Sequence, residues 1–443
     1  MVTFYTPPKK QVTKQVITLT VERLDAFGQG IANYNGKKVF IKNALPSEVV
    51  NVKLLEDKKQ YAKAHVVKYL STSAVRLKPA CPHYGVCGGC EMQHIPLETQ
   101  HAIKSQALVD LIAKETEQNI PAQQAQVIDS KPYHYRRRAR LAILFENNKL
   151  VIGFRKAESN QIIDIKQCPV LVPQLQELLN PLKICLKKIK NPRALGHAEL
   201  LQVDSGTILV IRYIKPLTEA DKNLLTDFAK QYNISLYLHG DHLIPLSGET
   251  EHYYSVGTLK LQFSPLDFIQ VNGEINLKMI KQALDWLNLK AEDVVLDLYC
   301  GMGNFSLPIA KLCQHVIGIE GVTALVEKAK KNAISNQKQL LGKADFYVAN
   351  LDKVDNNPTW FNDKITKVVL DPARSGANQV MDTIIHHAPQ RIVYISCNPA
   401  TLARDNKKLI SAGYKIAQAT ILDMFPQTKH IESMLLFTKL GTP

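Results

Sequence analysis

A cysteine follows a short buried strand near the end of the chain. Residues 392–395 form an apolar, β-branched run, the pattern of a strand buried on both faces of a parallel sheet. Cys397 comes two residues later, before Asn398-Pro399 and a helix predicted from about Ala400. Ligands of open α/β sheets bind just outside the carboxyl ends of the strands. Cys397 is therefore either a nucleophile at that edge or a structural cysteine of the commonly buried kind.

Two further strands predict a nucleoside site at the same edge. Residues 294–298 lead into a turn with two glycines, and a strand over 316–319 ends at Glu320. The acid follows the turn by about 20 residues, the spacing at which a carboxylate meets ribose hydroxyls. Asp297 would repel a pyrophosphate, and the G-x-G-x-x-G pattern is incomplete. The pattern favours S-adenosylmethionine, a cationic nucleoside without phosphate.

The alternation of strands and helices in the second half of the chain predicts the sheet that would carry these groups. From about residue 266, strands alternate with helices, beginning with a helix over 274–287. Strands are predicted at 294–298, 316–319, 345–348, 367–370 and 392–396, with a last stretch near 420–438. The strand over 367–370 ends at Asp371. This order indicates a doubly wound, Rossmann-like α/β sheet.

A second group of chemically active residues is a cysteine run. Cys81, Cys87 and Cys90 form a C-x5-C-x2-C pattern with two glycines, and Cys168 repeats the Cys-Pro context of Cys81. Four thiolates suit zinc or an iron–sulfur cluster, and spacing alone leaves both open. The pattern differs from the tighter C-x3-C-x2-C run of radical S-adenosylmethionine enzymes. Of the other cysteines, Cys185, Cys300 and Cys313 are predicted to fill the core or the cofactor turn.

Length and charge limit the classes of protein. A chain of 443 residues predicts two or three domains. It has no apolar run of 18 residues and no secretory h-region at residues 1–11, so we expect a cytoplasmic protein with reduced thiols and no membrane partner. The net charge of +15 favours a nucleic acid partner. Basic clusters lie at 136–140 and 183–193.

Three domains are predicted in chain order. After a loose tail over 1–11, short alternating strands over 12–70 indicate a small OB-like barrel, with Lys37, Lys38, Lys58 and Lys59 as candidate RNA contacts. Residues 71–265 form an α+β central region that holds the cysteines and is expected to recognise RNA. A helix over 97–117 could pack on the catalytic domain. Residues 266–443 form the Rossmann-like domain.

Several longer motifs resemble a known family. The segments LDLYCGMGNF, DPAR, SCNPATLARD and HIES occur in this order. They closely resemble the RNA uracil-5-methyltransferases, in particular the branch that acts on 23S ribosomal RNA, and the barrel resembles a TRAM domain. The resemblance covers essentially the whole chain. It implies methyl transfer from S-adenosylmethionine to C5 of a uridine in 23S ribosomal RNA, with no obligate protein partner.

The resemblance also implies roles for single residues. Cys397 would add to C6 of the uracil, and Glu432 would remove the C5 proton, with His430 a weaker rival. Phe268 could stack on the flipped base. The implied cofactor-binding residues are Gln270, Tyr299, Asn304, Glu320, Asn350 and Asp371. The implied ligands of a [4Fe–4S] cluster are Cys81, Cys87, Cys90 and Cys168.

Three alternatives remain at this point. The transfer RNA branch of the same family shares the chemistry, but its short bacterial members resemble only the second half of the chain. A cytosine-5 enzyme would use a similar cysteine in a different motif. A non-catalytic RNA-binding protein could keep the fold, although Cys397 and Glu432 would then be free to change.

Overall fold

The structure, a computed structural model, describes residues 16–116, 125–353, 360 and 364–439. The predicted tail over 1–11, the first residues of the predicted barrel and the last residue of the helix predicted over 97–117 lie outside these ranges. The chain forms two compact units. The first contains residues up to Ala80, with Cys90–Lys104 and Gln427–Lys429, and the second contains Cys81–Gly89, Ser105–Pro426 and the residues from His430 onward. The predicted domain boundaries near residues 70 and 265 stay predictions.

The first unit is built on a six-stranded sheet of order β1-β5-β6-β4-β3-β2. Its strands are β1 (Val16–Thr20), β2 (Arg23–Leu24), β3 (Gly30–Tyr34), β4 (Lys37–Lys42), β5 (Val49–Asp57) and β6 (Tyr61–Ser71). Only β4 and β6 run parallel. Alternate residues of the five longer strands face one core, as Ile17 and Leu19 of β1 do. The short strands predicted for a barrel are confirmed.

Helix α1 (Leu97–Thr116) continues from the first unit into the second. Its second half lies in the second unit, where the Ser105 hydroxyl is 3.4 Å from the Ala125 carbonyl of β7 (Ala125–Ile128).

The second unit contains a seven-stranded sheet of order β10-β9-β8-β11-β12-β13-β14. Its elements are β8 (Arg138–Glu146), β9 (Lys149–Arg155), β10 (Ile162–Asp164), α2 (Pro173–Leu186), β11 (Leu195–Val203), β12 (Gly206–Tyr213), α3 (Glu219–Gln231), β13 (Ile234–His239) and β14 (Leu243–Ser247). A capping box of Thr218 and Asp221 starts α3, which buries Leu225 and Phe228. The predicted α+β character is confirmed.

The basic cluster at 136–140 is mostly not a free surface. Arg138 forms an ion pair with Glu199 at 2.7 Å, and its side chain is 15% exposed. The Arg137 guanidinium lies 5.2 Å from the ring centroid of Tyr254. At least two of these arginines therefore stabilise the interior. RNA recognition by the central region stays a prediction.

A second, eight-stranded sheet follows the hairpin β15 (His252–Val256) and β16 (Leu259–Phe263). Its order is β19-β18-β17-β20-β21-β23-β22-β7. The elements are α4 (Gly273–Leu287), β17 (Val294–Leu298), α5 (Ser306–Ala310), β18 (His315–Glu320), α6 (Thr323–Asn336), β19 (Lys343–Val348), β20 (Lys367–Leu370), α7 (Met381–His387), β21 (Arg391–Ser396), α8 (Pro399–Ser411), β22 (Tyr414–Leu422) and β23 (Glu432–Lys439).

The parallel part of this sheet runs from β19 to β21. Chain order reverses at β17, which pairs with β18 on one side and β20 on the other. This reversal makes the carboxyl end of β17 the point where such sheets bind ligands. The predicted Rossmann-like order and its five strands are confirmed.

The order of the strands beyond β21 was not predicted from the sequence. The stretch predicted near 420–438 is two strands, and β23 lies antiparallel between β21 and β22. Strand β7, from the region predicted as central, then pairs in parallel with β22. It supplies hydrogen-bond partners to a strand that would otherwise be an open edge.

Within the described ranges, no helix has both the length and the apolar character needed to cross a bilayer.

A buried ion pair closes the amino-terminal ends of β17 and β20. Lys367 is bonded to Asp293 and donates to the Asn288 carbonyl at 2.6 Å, and both charged side chains are less than a tenth exposed. We expect Lys367→Ala to lower the free energy of unfolding by about 3–5 kcal/mol, because it leaves Asp293 buried without its cation. Urea denaturation measures this change.

The matched control is Lys281→Ala, which removes an exposed ion pair with Asp285 on α4. Its effect should be under about 1 kcal/mol. Equal effects of the two variants would contradict the role given to burial.

Candidate active site

The turn after β17 is held by the acid that ends β18. Gly301 donates its backbone N–H to one oxygen of Glu320 at 3.2 Å, and Val322 donates to the other at 3.0 Å. Gly301 and Gly303 have φ values of +55° and +97°, the left-handed region that glycine enters without strain. The predicted partners of a nucleoside, a glycine turn and an acid, therefore lie side by side.

Tyr299 is an unusual residue within this turn. Its φ is +62°, a conformation that costs a non-glycine residue about 1 kcal/mol or more. Its buried hydroxyl has no hydrogen-bond partner within the described residues. Burial raises the pKa of the phenol, and the charges of Asp352 and Asp405 add to the shift. A strained residue with an unsatisfied buried hydroxyl is typical of a ligand site.

The remaining predicted cofactor residues, Asn304, Asn350 and Gln270, lie in different surroundings. Asn304 exchanges hydrogen bonds with Asn276 and accepts one from the Tyr254 hydroxyl at 3.1 Å, so its amide already fixes the turn internally. Asn350 follows β19, is exposed, and accepts from the Asp352 N–H. Gln270 precedes α4 and donates to Asp371 at 3.5 Å.

Two acids lie at the carboxyl ends of neighbouring strands, Asp297 within β17 and Asp371 just after β20. Burial raises the pKa of Asp371, at the end of β20, to about 6. Burial also raises the pKa of Asp297 to about 7, although the Ser306 hydroxyl donates to it, and the charges of Asp371 and Glu320 add to the increase. Such crowding of carboxyl groups favours protons or a bound cation. A sulfonium is such a cation, so its positive charge is complementary to these carboxyl groups.

Cys397 and Glu432 meet at the end of an antiparallel strand pair. Ser396 of β21 pairs with Ser433 of β23, and the next residue beyond Ser396 is Cys397 while the one before Ser433 is Glu432. Residues opposite each other in such a pair have Cβ atoms about 5 Å apart. Continued by one position, this register brings the thiol and the carboxyl together, and the charges of Glu432 and of Asp371, the residue after β20, both act on the thiol.

The electrostatics of this pair favour the neutral forms. Burial raises the pKa of the Cys397 thiol to about 11, and the charges of Glu432 and Asp371 contribute. Burial raises the pKa of Glu432 to about 8, and the charge of Asp371 contributes. Arg374 opposes both increases. It is the cation that stabilises a thiolate or carboxylate here.

Sequence reasoning did not single out Arg374 or the residue that fixes its loop. Asp405 of α8 is fully buried and accepts from the Ala377 N–H and the Tyr394 hydroxyl, both at 2.7 Å. A Cβ on Gly376 would lie 2.5 Å from this carboxylate. The sequence contains one signal that could have identified Asp405, because this acid of the SCNPATLARD motif lies within a helix that is otherwise amphipathic.

An exposed aromatic side chain, Phe268, lies close to Gln270 along the chain. Phe268, two residues before Gln270, is 69% exposed, the largest exposure of any aromatic side chain among the exposed hydrophobic residues of the described chain. Such a ring is available for stacking on a base.

The cysteine loop is attached to the seven-stranded sheet. Gly88 donates to the Arg155 carbonyl at 3.0 Å and Ala157 to the Val86 carbonyl at 2.9 Å. Burial raises the pKa of the Cys168 thiol to about 11, and the nearby Cys81 and Cys87 add to it. Cys90 lies three residues beyond Cys87 along the chain. The described residues hold no group of three or more side chains already arranged around a metal position.

Comparison with known proteins identifies the fold and the reaction class. A sequence profile described as tRNA (Uracil-5-)-methyltransferase matches residues 99–440, and a TRAM domain profile matches residues 10–67. The chain belongs to this family of RNA uracil-5-methyltransferases. It is an S-adenosylmethionine-dependent methyltransferase with an N-terminal TRAM domain.

One curated relative and one solved structure illustrate the family. The chain is 46% identical over 443 residues to the 23S rRNA (uracil(1939)-C(5))-methyltransferase RlmD of Photorhabdus laumondii, covering 99% of this chain and all of the relative. The crystal structure of Pyrococcus abyssi tRNA (uracil-54, C5)-methyltransferase with S-adenosyl-L-homocysteine matches with a TM-score of 0.75 at 22% identity. The match covers 95% of this chain and 99% of that one, and it shows the shared fold.

The raised pKa of Glu432 predicts a pH dependence. At pH 7 roughly a tenth of Glu432 is ionised if its pKa is about 8. A step that needs the carboxylate should therefore accelerate from about pH 6 to pH 9. Arg374→Met removes the cation that lowers this pKa, so it should move the profile to higher pH. The rate at which methylated RNA is released from the covalent Cys397 adduct, followed across this range, measures both profiles.

Lys407→Met, which removes an exposed cation of α8, is the control and should leave the profile where it is. A profile that is flat from pH 6 to 9 would contradict the environment assigned to Glu432.

Proposed function

We propose that this methyltransferase transfers the methyl group of S-adenosylmethionine to C5 of a uridine in 23S ribosomal RNA. The uridine would correspond to the position given in the name of the bacterial relative. The observation that carries the residue roles is the strand register that sets Cys397 opposite Glu432 beside the acid-rich cofactor edge. The identity of 46% over the full length of a 23S enzyme supports the substrate.

Cys397 is the proposed nucleophile. Uracil C5 is a weak nucleophile, and addition of the Cys397 thiolate to C6 places negative charge on C5 and O4. C5 then takes the methyl group from the sulfonium and the C6–S bond remains. Arg374 would favour the thiolate, because its charge lowers the pKa of Cys397.

Glu432 is the proposed general base. After methyl transfer, C5 carries both the new methyl group and a proton. Removal of this proton by the Glu432 carboxylate rebuilds the C5–C6 double bond and expels the Cys397 thiolate. His430, two residues earlier, is the weaker candidate, because Glu432 is the residue whose position in β23 faces Cys397.

The proposed cofactor site uses the residues at the ends of β17, β18 and β20. Glu320 would hold the ribose hydroxyls, the Tyr299 hydroxyl would gain its missing partner, and Asp371 would separate the cofactor from the base. Gln270, Asn304 and Asn350 are the other proposed contacts. When bound, S-adenosylmethionine supplies the transferable methyl group as a sulfonium cation.

We also propose a [4Fe–4S] cluster on Cys81, Cys87, Cys90 and Cys168. The donor set fits, because thiols are the ligands that such clusters take, and Cys168 interacts with Cys81 and Cys87. The role would be structural, with all four irons held by protein. Reduced thiols and a ribosomal substrate also favour a cytoplasmic location, which we propose together with the absence of an obligate protein partner.

The first unit is the proposed RNA anchor. Lys37 and Lys58 form exposed ion pairs with Asp57 and Glu56. Exposed pairs of this kind add little stability, so phosphates can compete for the lysines. Lys38 and Lys59 are further candidates on the same unit.

The second candidate function is methylation of transfer RNA. The family profile and the archaeal structure carry that substrate in their names. The chemistry at Cys397 and Glu432 would be unchanged, and only the RNA would differ.

The experiment offers methyl-labelled S-adenosylmethionine with unmodified 23S ribosomal RNA, transfer RNA or DNA to the native protein, Cys397→Ala and Glu432→Gln. We expect label in 5-methyluridine of the ribosomal RNA, no transfer by Cys397→Ala, and an SDS-stable methylated adduct with Glu432→Gln. Cofactor binding by Cys397→Ala should stay within a few-fold, because the thiol is not a cofactor contact.

Turnover by Cys397→Ala would remove the nucleophile. Label in transfer RNA alone would favour the second candidate, and RNA binding without label would favour a non-catalytic RNA-binding protein.

Iron content tests the cluster. Anaerobically purified protein should be brown and contain about four irons per chain if the cluster is [4Fe–4S]. Cys168→Ser should lose most of this iron, whereas Cys185→Ser, which alters a buried cysteine of the same hydrophobic core, should keep it. Stoichiometric zinc without iron would reject the cluster.

A further inference from the structure

The seven-stranded sheet of the second unit has one face that the helices do not cover. Successive residues of a strand point to opposite faces of the sheet. In β8, β11 and β12 one set, including Leu141, Ala198 and Ile211, packs in the core that contains α2 and α3. The residues between them face the other way. Of these, Leu201 and Val210 pack in the core that contains the hairpin of β15 and β16.

Beyond these two residues the same face is basic. His197 of β11 lies opposite Arg212 of β12, and Arg212 lies opposite His239 of β13. Arg140 of β8, on the other side of β11, donates from Nη2 to His197 Nδ1 at 3.2 Å. We call Arg140, His197, Arg212 and His239 the basic track. It crosses three strand spacings of about 4.8 Å each, or about 14 Å.

The arginines of the basic track are not neutralised by acids. Within the described ranges, neither Arg140 nor Arg212 forms an ion pair with a carboxylate. The acid opposite Arg140 in the sheet is Glu199, and it is paired with Arg138 at 2.7 Å instead. Arg140 is exposed and Arg212 is half-buried. The surface therefore presents two uncompensated positive charges.

The histidines of the basic track add no charge at neutral pH. Burial lowers the pKa of His197 to about 4, and the charge of Arg140 adds to the decrease. Burial also lowers the pKa of His239, and the charge of Arg212 contributes. The two imidazoles are therefore neutral hydrogen-bonding groups at pH 7, and the charge of the track comes from its arginines.

Arg138 connects the basic track with the loop that carries Phe268. It is two residues before Arg140 in β8, so both side chains leave the same face. Its guanidinium donates to the Asp267 carbonyl, and to the Pro265 carbonyl at 3.3 Å. The track thus begins beside the loop whose exposed aromatic ring is available for stacking on a base.

We propose that the basic track binds the phosphate backbone of the RNA strand next to the target uridine. Arginine presents several N–H groups in a planar fork that matches the oxygens of a phosphate. The RNA is favoured over an acidic protein as the partner, because it is the polyanion that the neighbouring site already requires. The proposal rests on the RNA substrate proposed above and names the surface that holds it.

The first test measures how salt affects binding by Arg140→Gln/Arg212→Gln. The full-length protein is titrated into a fluorescent single-stranded 23S ribosomal RNA fragment around the target uridine, at several salt concentrations. Each lost phosphate contact should reduce the slope of log affinity against log salt by about 0.7, and the pair by about 1.4. At about 0.1 M salt this corresponds to binding weaker by about fivefold per contact and about 25-fold for the pair.

Lys187→Gln/Lys188→Gln is the matched control. It removes the same charge from two exposed lysines just after α2, the helix that packs on the opposite face of the sheet. It should keep the native slope. Arg140→Lys/Arg212→Lys keeps both charges and should keep most of the slope. Cofactor binding within about twofold of native checks that each variant is folded.

Arg140→Gln alone is the second variant if the pair does not fold, because Arg212 also donates to the His239 and Gly240 carbonyls. It should reduce the slope by about 0.7. Equal weakening by the glutamine variants of the arginines and of the lysines would overturn the track, since net charge alone would then explain the loss.

The second test locates the contact along the RNA. Phosphates on both sides of the target uridine are replaced one at a time by uncharged methylphosphonates. One or two of these replacements should weaken native binding by about fivefold and have little further effect on Arg140→Gln/Arg212→Gln, because the contact is already lost.

The outcomes separate this proposal from the proposed function. Native protein that binds and methylates the fragment, beside an arginine variant that binds it equally well, would overturn the track alone and favour an acidic protein on this surface. Additive effects of every methylphosphonate and the arginine variant would also overturn the track. Native protein that neither binds nor methylates the fragment would overturn both.

Discussion

The crowding of carboxyl groups at one edge of a sheet is the interaction on which the site depends. Burial raises the pKa of Asp297, Asp371 and Glu432, and the charges of neighbouring acids add to the increase at Asp297 and Glu432. A sulfonium cation relieves this repulsion and favours the ionised acids. In the proposed mechanism methyl transfer removes this cation, because the sulfonium becomes a neutral thioether.

One topological feature brings the base to the nucleophile. Strand β23 lies antiparallel beside β21, so the carboxyl end of one meets the amino end of the other. A parallel strand at that place would have put Glu432 at the opposite edge of the sheet from Cys397. A buried acid, Asp405, fixes the loop that carries Arg374.

The sequence predicted the parallel part of the sheet well, because runs such as 294–298 and 392–396 are apolar, β-branched and bounded by turn residues. It also located Cys397, Glu320 and Asp371, which end such runs. It did not predict that β7 would join the sheet or that β23 would insert between β21 and β22, since periodicity says nothing about strand order. The pairing of Gln100 with Gln427 joins residues 327 positions apart, and no local pattern reports such a contact.

The most direct test of this account is to find the atom that binds the base. RNA containing 5-fluorouridine at the target position has no C5 proton to remove, so the methylated adduct should persist. The protein is incubated with this RNA and S-adenosylmethionine, digested with protease and nuclease, and analysed by mass spectrometry. We expect the methylated fluorouridine on the peptide that contains Cys397. A nucleotide on any other residue, or an intact Cys397 peptide after full methyl consumption, would contradict the account.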